Sequence, residues 1–303
     1  MATRLVTTVI VMVGISVIVF TLSRMSGDPR LLYMTPGTRF SQEVWDARGR
    51  DLGLDKPLVV QYLIWAGNAT QGDFGDSVWH KRNSLDVIKE RAPATLQLSG
   101  IAIVFAISSG VGLGVASAVT RGSIADLATR GFALVGQAAP PFFLALVLIY
   151  LFAVKFDVFP TSRRGDWTHF VLPVTILGWL ASASIARITR SSLLEVLDSE
   201  YVKLARAKGV GRSKVVFKHA LKNALIAPLT VSAILFASFM TGTVVVETVF
   251  AWPGLGRLAV EAALQNDFPL VTGLAVIFAA IFVISNLIAD LLYAVIDPRI
   301  RIY

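Results

Sequence analysis

The chain has 303 residues, 55% of them hydrophobic and only 16% charged, with a net charge of +8 and no cysteine. Soluble chains carry about 25% charged residues, so a soluble enzyme is excluded. Without cysteine, disulfides, thiolate metal sites and thiol nucleophiles are excluded as well.

Six windows contain no Asp, Glu, Lys or Arg: 5–23, 92–120, 131–154, 167–186, 223–246 and 268–289. A helix needs roughly 20 apolar residues to cross a hydrocarbon layer about 30 Å thick, so each window is long enough to span. A membrane β-barrel does not fit, because its strands alternate apolar and polar residues over about ten positions. The expected fold class is an all-α membrane protein with six transmembrane helices.

The positive charge follows the membrane rather than a nucleic acid. With six spans both ends share one side, and segments 1–4, 121–130, 187–222 and 290–303 on that side hold 14 Lys and Arg, against 4 in the opposite loops 155–166 and 247–267. Segment 24–91 is too long to weigh in a positive-inside count limited to loops of about 60 residues. Both termini are therefore expected in the cytoplasm, and no nucleic-acid partner is expected.

At the N-terminus, Arg4 before an apolar run resembles a secretory signal peptide. Ser23, Arg24 and Met25 offer no small-x-small cleavage site at its end, so the run is read as the first span. Next, Asp55 and Pro57 predict a helix start with a capping carboxylate and a first-turn proline. The uncharged run 57–72 is too short and polar to span and reads as an interfacial amphipathic helix. Asn68-Ala69-Thr70 matches a glycosylation acceptor, a pattern too short to be given a role. Ser84 and Asp86 predict a short helix ending at Arg91.

Small residues in the second span (Gly110, Gly112, Gly114) and the fourth (Gly178, Ser182, Ala186) recur at spacings that let helix backbones approach closely. Gly112-x-Gly114-x-x-Ser117 lacks a preceding strand and is no dinucleotide fingerprint. Pro140 and Pro141 remove two backbone donors and predict a kink in the third span. Among ionisable residues the windows hold only His169, whereas ion-driven transporters commonly carry charged groups inside the membrane. Asp290, just past the last window, is expected to pair with Arg187 or Arg190 at the end of the fourth span.

The stretch 195–228 reads as two helices, Glu200 to Lys208 and Ser213 to Leu225, parted by Gly209-Val210-Gly211. Ser199 is placed to cap the first and Gly209 to stop it in the left-handed conformation. Nine of the basic residues fall in 187–222. A basic helix on anionic lipid explains the lysines, but not the compact helix-glycine-helix unit. Gly209-Val210-Gly211-Arg212-Ser213-Lys214 lacks the Gly-Lys-Ser/Thr of a phosphate loop, so any ATP must be bound by another chain.

These residues resemble the permease subunits of bacterial ABC importers of the dipeptide, oligopeptide and nickel type. Glu200-Tyr201-Val202-Lys203 through Ala205-Arg206-Ala207-Lys208-Gly209 is similar to that group's coupling loop. Ser26-Gly27-Asp28-Pro29, Leu52 to Pro57, Gln71 to Gly75, Arg91 to Leu96, Glu247 to Gly256 and Asp297-Pro298-Arg299 match the family in order. Lys203, Leu204 and Ala205 stand where the broader importer pattern has Glu-Ala-Ala, a departure the peptide and nickel group shares. Ala227-Pro228 shifts the usual proline by one residue.

The resemblance implies a type I importer permease fold. Residues 1–92 would form the first span and a long periplasmic segment, and 93–303 a five-helix transmembrane domain with a cytoplasmic coupling loop at 187–225. It implies a pore subunit of the bacterial inner membrane, not itself an enzyme, partnered by a second permease, two ATP-binding subunits that hold ATP and magnesium, and a periplasmic substrate-binding protein. It assigns ATPase coupling to Glu200, Tyr201, Ala205, Arg206, Ala207, Lys208 and Gly209. Trp252, Pro253 and Gly254, in the loop between the last two spans, are candidates either for gating and binding-protein contact or for anchoring at the lipid interface. The chain would hold no cofactor and no metal, and peptide-like cargo is the best single expectation. A secondary transporter or channel, and a lipid-surface scaffold, are the rival readings.

Overall fold

The computed structural model describes residues 2–25, 28, 30, 42–51 and 53–296. Asp297-Pro298-Arg299, Ser26, Gly27, Pro29 and Leu52 lie outside the described residues, as does the side chain of Asp290. In chain order come α1 (Ala2–Met25), α2 (Gln42–Asp51), α3 (Leu58–Thr70), strands β1 (Asp76–Ser77) and β2 (Arg82–Asn83), α4 (Ser84–Val119) and α5 (Ile124–Ala138). Then follow α6 (Pro141–Leu148) with a π-helical continuation Ile149–Lys155, α7 (Thr168–Leu197) and α8 (Glu200–Ala207). After α9 (Arg212–Lys214), a π-helical turn Val215–Ala220 leads into α10 (Leu221–Ala224). The chain closes with α11 (Ile226–Gly242), α12 (Val244–Val249), α13 (Leu255–Leu264) and α14 (Phe268–Ile296).

Every charge-free window falls mainly on helix, with window 131–154 interrupted at Ala139-Pro140. Among the described residues α4, α7 and α14 are each long and apolar enough to cross a membrane. The count reaches five if α5 with Pro141–Lys155, and Arg212–Ala224 with α11, are each one bent span; Val9–Met25 is a shorter apolar helix.

Two local expectations change. The short helix predicted over 84–91 is continuous with the second span, making α4 one helix of 36 residues. At about 54 Å it exceeds the hydrocarbon thickness, so part of it must stand outside the membrane. The predicted kink at Pro140-Pro141 is a break, with 111° between the two halves. A residue before proline is pushed out of the helical region. Ala139 and Pro140 both precede one, and both are extended, with ψ of 135°.

The chain divides into two compact units, Met1–Pro93 with Gly254–Val283, and Ala94–Pro253 with Ile284–Tyr303. In the first, Phe20 of α1 meets Tyr62 and Trp65 of α3 at ring distances of 5.7 and 5.4 Å. α3 buries no residue completely, as an interfacial helix would not, and Asp55 does not cap it: Pro57 occupies the cap position. The β-hairpin pairs Asp76 with Asn83 and Ser77 with Arg82. Asp267, buried before α14, accepts hydrogen bonds from the Ser77 hydroxyl and the Trp79 N–H, pinning the hairpin to the α13–α14 corner. Val87, Ile88, Leu255, Leu258, Ala262, Leu270 and Leu274 form this unit's core.

In the second unit α4 and α7 pack against each other through the small residues that were expected to allow close helix approach. A Cβ on Gly110 would lie 2.7 Å from the Ile185 Cβ and 2.9 Å from the Ser182 carbonyl oxygen. On Gly114 it would lie 2.6 Å from the Ala186 carbonyl oxygen. Gly112 meets nothing within 4 Å, so it plays no part in this contact.

Candidate functional site

Helix α8 follows α7 after a two-residue break. Of its residues only Val202 is buried, and that one completely. Val202 joins Val115 and Ala118 of α4, Leu193 of α7 and Val215, Val216, Ala220 and Ala224 in an apolar cluster. Burying a valine contributes roughly 1.5–3 kcal/mol, so this plug helps to hold a short helix that would be unstable in isolation. Most of its other side chains are exposed. Tyr201 and Leu204 are exposed, flanked by the exposed Lys203, Arg206 and Lys208.

The end of α8 is a Schellman stop. Gly209 has φ +78°, its N–H donates to the Arg206 carbonyl at 2.9 Å, and the Val210 N–H donates to the Ala205 carbonyl at 3.2 Å. This is the left-handed role that the sequence assigned to Gly209. Val210 then turns back to pack on the same cluster as Val202. Two side-chain bonds brace the unit. Asn223 Nδ2 donates to the Tyr201 hydroxyl at 2.8 Å, and Arg212 Nη2 donates to the Val119 carbonyl at the end of α4 at 2.6 Å. Lys203 and Glu200 form an exposed ion pair at 2.7 Å.

Ser199 sits at the cap position, yet its hydroxyl donates backward to the Val196 carbonyl and caps nothing. The second loop helix, expected over 213–225, is α9 and α10 joined by the π turn, which places Val215, Val216 and Ala220 inward together.

Above this unit lies a charged clasp that sequence reasoning missed. Asp126, almost fully buried near the start of α5, accepts from Arg190 Nε at 2.9 Å and Nη2 at 3.0 Å, and from the Gly122 N–H at 3.1 Å. Ser117 of α4 donates its hydroxyl to the same carboxylate. Three helices thus meet at one group. Asp290 was expected to pair with Arg187 or Arg190; its side chain lies outside the described residues, and the Arg190 guanidinium is engaged by Asp126. The signal was present as Ser123-x-x-Asp126, a helix-start pattern in which Ser123 Oγ accepts the Asp126 N–H.

Trp252 and Pro253 are not in a simple loop, because α12 and α13 flank them. Trp252 is completely buried. Its indole N–H donates to the Ala94 carbonyl at 3.0 Å and its ring meets Phe170 edge-on at 4.7 Å, so in this conformation it contacts neither lipid nor an external protein. Pro253 is half-buried, and Gly254 is the residue before α13. Ala251 takes the left-handed φ of +48° that brings the Trp252 N–H back to the Glu247 carbonyl at 2.8 Å.

Glu247 lies one residue past the fifth window and is completely buried. Its Oε1 accepts from Thr95 Oγ1 at 2.7 Å and Thr243 Oγ1 at 2.9 Å. Window counting passed over it, although Thr243 four residues earlier marks the same helical face. In the loop 155–166, Asp166 is held below the usual carboxylate range by the Thr168 hydroxyl, by His169 and by the Thr168 N–H. Among the described residues no group of three or more His, Asp or Glu is arranged to hold a metal ion.

The family model for binding-protein-dependent transport system inner membrane components matches residues 110–302. The oligopeptide transport system permease protein AppB of Bacillus subtilis (strain 168) is 38% identical, covering 96% of this chain and 95% of that one. The glutathione transport system permease protein GsiC of Escherichia coli (strain K12) is also 38% identical, covering 95% and 94%. The probable peptide ABC transporter permease protein y4tP of Sinorhizobium fredii is 38% identical over 98% and 97%. Among solved structures, the inward-facing MetNI methionine ABC transporter is similar at a TM-score of 0.58 with 19% identity, over 70% of this chain and 96% of that one. An amino acid ABC transporter reaches 0.54 with 18% identity, over 71% and 94%.

Proposed function

The chain belongs to the family of binding-protein-dependent transport system inner membrane components, and on that premise we propose that it lines half of an ATP-driven pathway importing peptides or peptide-like solutes, glutathione among them. The observation that carries the coupling role is α8, a helix with one buried residue and most of its other side chains exposed, fastened to the ends of α4 and α7.

The chemistry of ATP belongs to partner subunits, which bind ATP and magnesium; no residue of this chain forms or breaks a covalent bond. Closure of two ATP-binding subunits would push on Tyr201, Leu204 and the basic side chains around them. Val202 and Val210 pass that displacement to the cluster at the ends of α4 and α7, and the Asp126–Arg190–Ser117 clasp extends it to α5. Access alternates because ATP-bound partners favour one of two packings of the same helices. A shift from 1:99 to 99:1 needs a differential of about 5.5 kcal/mol, within what nucleotide binding to two sites can supply. A second permease completes the pathway, and a periplasmic binding protein delivers cargo.

Peptide-like cargo follows from relatives whose names specify oligopeptide and glutathione transport. Both termini, and α8 with them, lie in the cytoplasm by the Lys and Arg distribution. The test is reconstitution of the permease with its ATP-binding and substrate-binding partners in liposomes. ATP-dependent accumulation of a labelled peptide or of glutathione supports the reading. Uptake driven by an ion gradient without ATP refutes it.

A further inference from the structure

Between α5 and α7, at the end where Arg190 meets Asp126, opens a cleft of about 630 Å³ that shares Ser117 and Arg190 with the clasp. Its register is set by two contacts, the Asp126–Arg190 pair and, further along, the stack of Phe132 on Trp179 with ring centres 4.9 Å apart. Arg130 and Arg187 lie between those contacts, one from each helix, and both line the cleft. Among the described residues neither guanidinium has a hydrogen bond or an ion pair, whereas Arg190 is consumed by the clasp.

The wall beside them is mostly apolar. Leu127 and Leu134, on the same face of α5 as Arg130, are 67% and 68% exposed, so the cleft opens sideways along an oily surface. The sequence fixes the depth of the two arginines. Arg130 immediately precedes the charge-free window 131–154, and Arg187 immediately follows window 167–186. Both therefore stand at the edge of the hydrocarbon layer, where phosphates of lipid headgroups lie. Guanidinium groups bind phosphate oxygens in bidentate fashion, and basic pockets between spans on the cytoplasmic side hold anionic headgroups. A hydrophilic cargo would leave the leucine wall unmatched; a molecule with an anionic head and alkyl chains matches both parts.

We propose that this cleft is a binding site for one anionic phospholipid of the cytoplasmic leaflet, its phosphate held by Arg130 and Arg187 and its acyl chains lying against Leu127 and Leu134. The inference rests on the cytoplasmic placement of this end of α7 given above. Because the cleft adjoins the clasp that ties α4, α5 and α7 together, the lipid would bear on the same helices that transmit coupling.

The test uses the intact importer purified with its partner subunits, titrated in detergent with phosphatidylglycerol or phosphatidylcholine and read by native mass spectrometry. Wild type should retain one phosphatidylglycerol that an R130Q/R187Q variant binds roughly thirtyfold more weakly, with phosphatidylcholine unaffected. An R130K/R187K variant, which keeps the charge, should fall between the two. Should the double variant not assemble, Arg130→Gln and Arg187→Gln singly should each weaken retention about fivefold. Equal retention by wild type and the glutamine variants, or equal retention of the two lipids, overturns the proposal. Displacement of the lipid by millimolar inorganic phosphate or by peptide overturns it too, since the site would then recognise a free anion or the cargo. ATP-driven uptake by the wild-type complex is measured separately, and its absence would refute the importer reading while leaving the lipid titration interpretable.

Discussion

Replacing Gly209 tests whether the geometry at the end of α8 carries coupling. Gly209 holds φ +78° and a Cβ there would meet no atom of this chain within 4 Å, so the penalty for a side chain is conformational rather than steric. For alanine that penalty is roughly 1–2 kcal/mol, and for a β-branched residue it is larger; asparagine tolerates the left-handed region and loses little. A factor of ten per 1.4 kcal/mol means that Gly209→Ala should depopulate the stop by about 5- to 30-fold, and Gly209→Val by more. Losing it releases the Val210 and Gly209 N–H bonds and lets α8 run on past its plug. The assay is the ratio of peptide uptake to ATP hydrolysis in proteoliposomes. It should fall in the order asparagine, alanine, valine, with asparagine close to wild type. A side chain that merely collided with the ATP-binding partner would rank by size, making asparagine worse than alanine. That order, or wild-type coupling in Gly209→Val, would refute the reasoning.

Further substitutions probe the other supports. Val202→Asp puts an unpaired charge into the apolar cluster and should abolish stimulation of ATP hydrolysis by the permease, while the membrane domain still purifies as a folded protein by thermal-shift assay. Asp126→Asn leaves the Arg190 guanidinium partly buried without its counter-ion, a loss of up to about 3–5 kcal/mol. It should lower the melting temperature in detergent, and pairing it with Arg190→Gln should recover part of the loss. Trp252→Ala empties a fully buried site and should cost about 3–5 kcal/mol, seen as reduced folded yield rather than as altered cargo preference. Glu247→Gln keeps one acceptor oxygen for two threonine hydroxyls. It should retain ATP-driven uptake at every pH tested, and a loss of pH-dependent uptake would instead favour an ion-coupled transporter.

What was legible in the sequence was whatever depends on composition along one helix. The charge-free windows located apolar helices, the small residues of 110–114 and 178–186 marked helix faces open to close approach, and Gly209 located the end of α8. What was not legible depends on two helices at once. Asp126 reads as an ordinary helix-start residue until folding brings Arg190, 64 positions later, against it. Trp252 in a stretch between two spans reads as an interfacial aromatic, yet its indole N–H finds a carbonyl 158 residues earlier. The break at Pro140-Pro141 was underestimated for a different reason. One proline in a helix removes a single bond, but two in succession force the two residues before them out of the helical region and redirect the axis.

These features share a logic. A subunit driven from outside has no need of reactive groups, but it must not lose the imposed displacement in soft packing. Interiors packed at crystal-like density transmit strain because they are nearly incompressible. Glycines that bring α4 within backbone contact of α7, a carboxylate of α5 bonded from both α4 and α7, and a valine plug under α8 all remove slack. The backbone is irregular at the Pro140-Pro141 break and in the two π-helical segments, and movement is predicted there. If that division is correct, hydrogen exchange in the presence and absence of ATP should change at 139–155 and 211–225 while α4 and α7 near Gly110 and Ile185 stay protected throughout. Exchange that rises first at the Gly110–Ile185 contact would show that the small-residue seam, and not the irregular segments, is the part that moves.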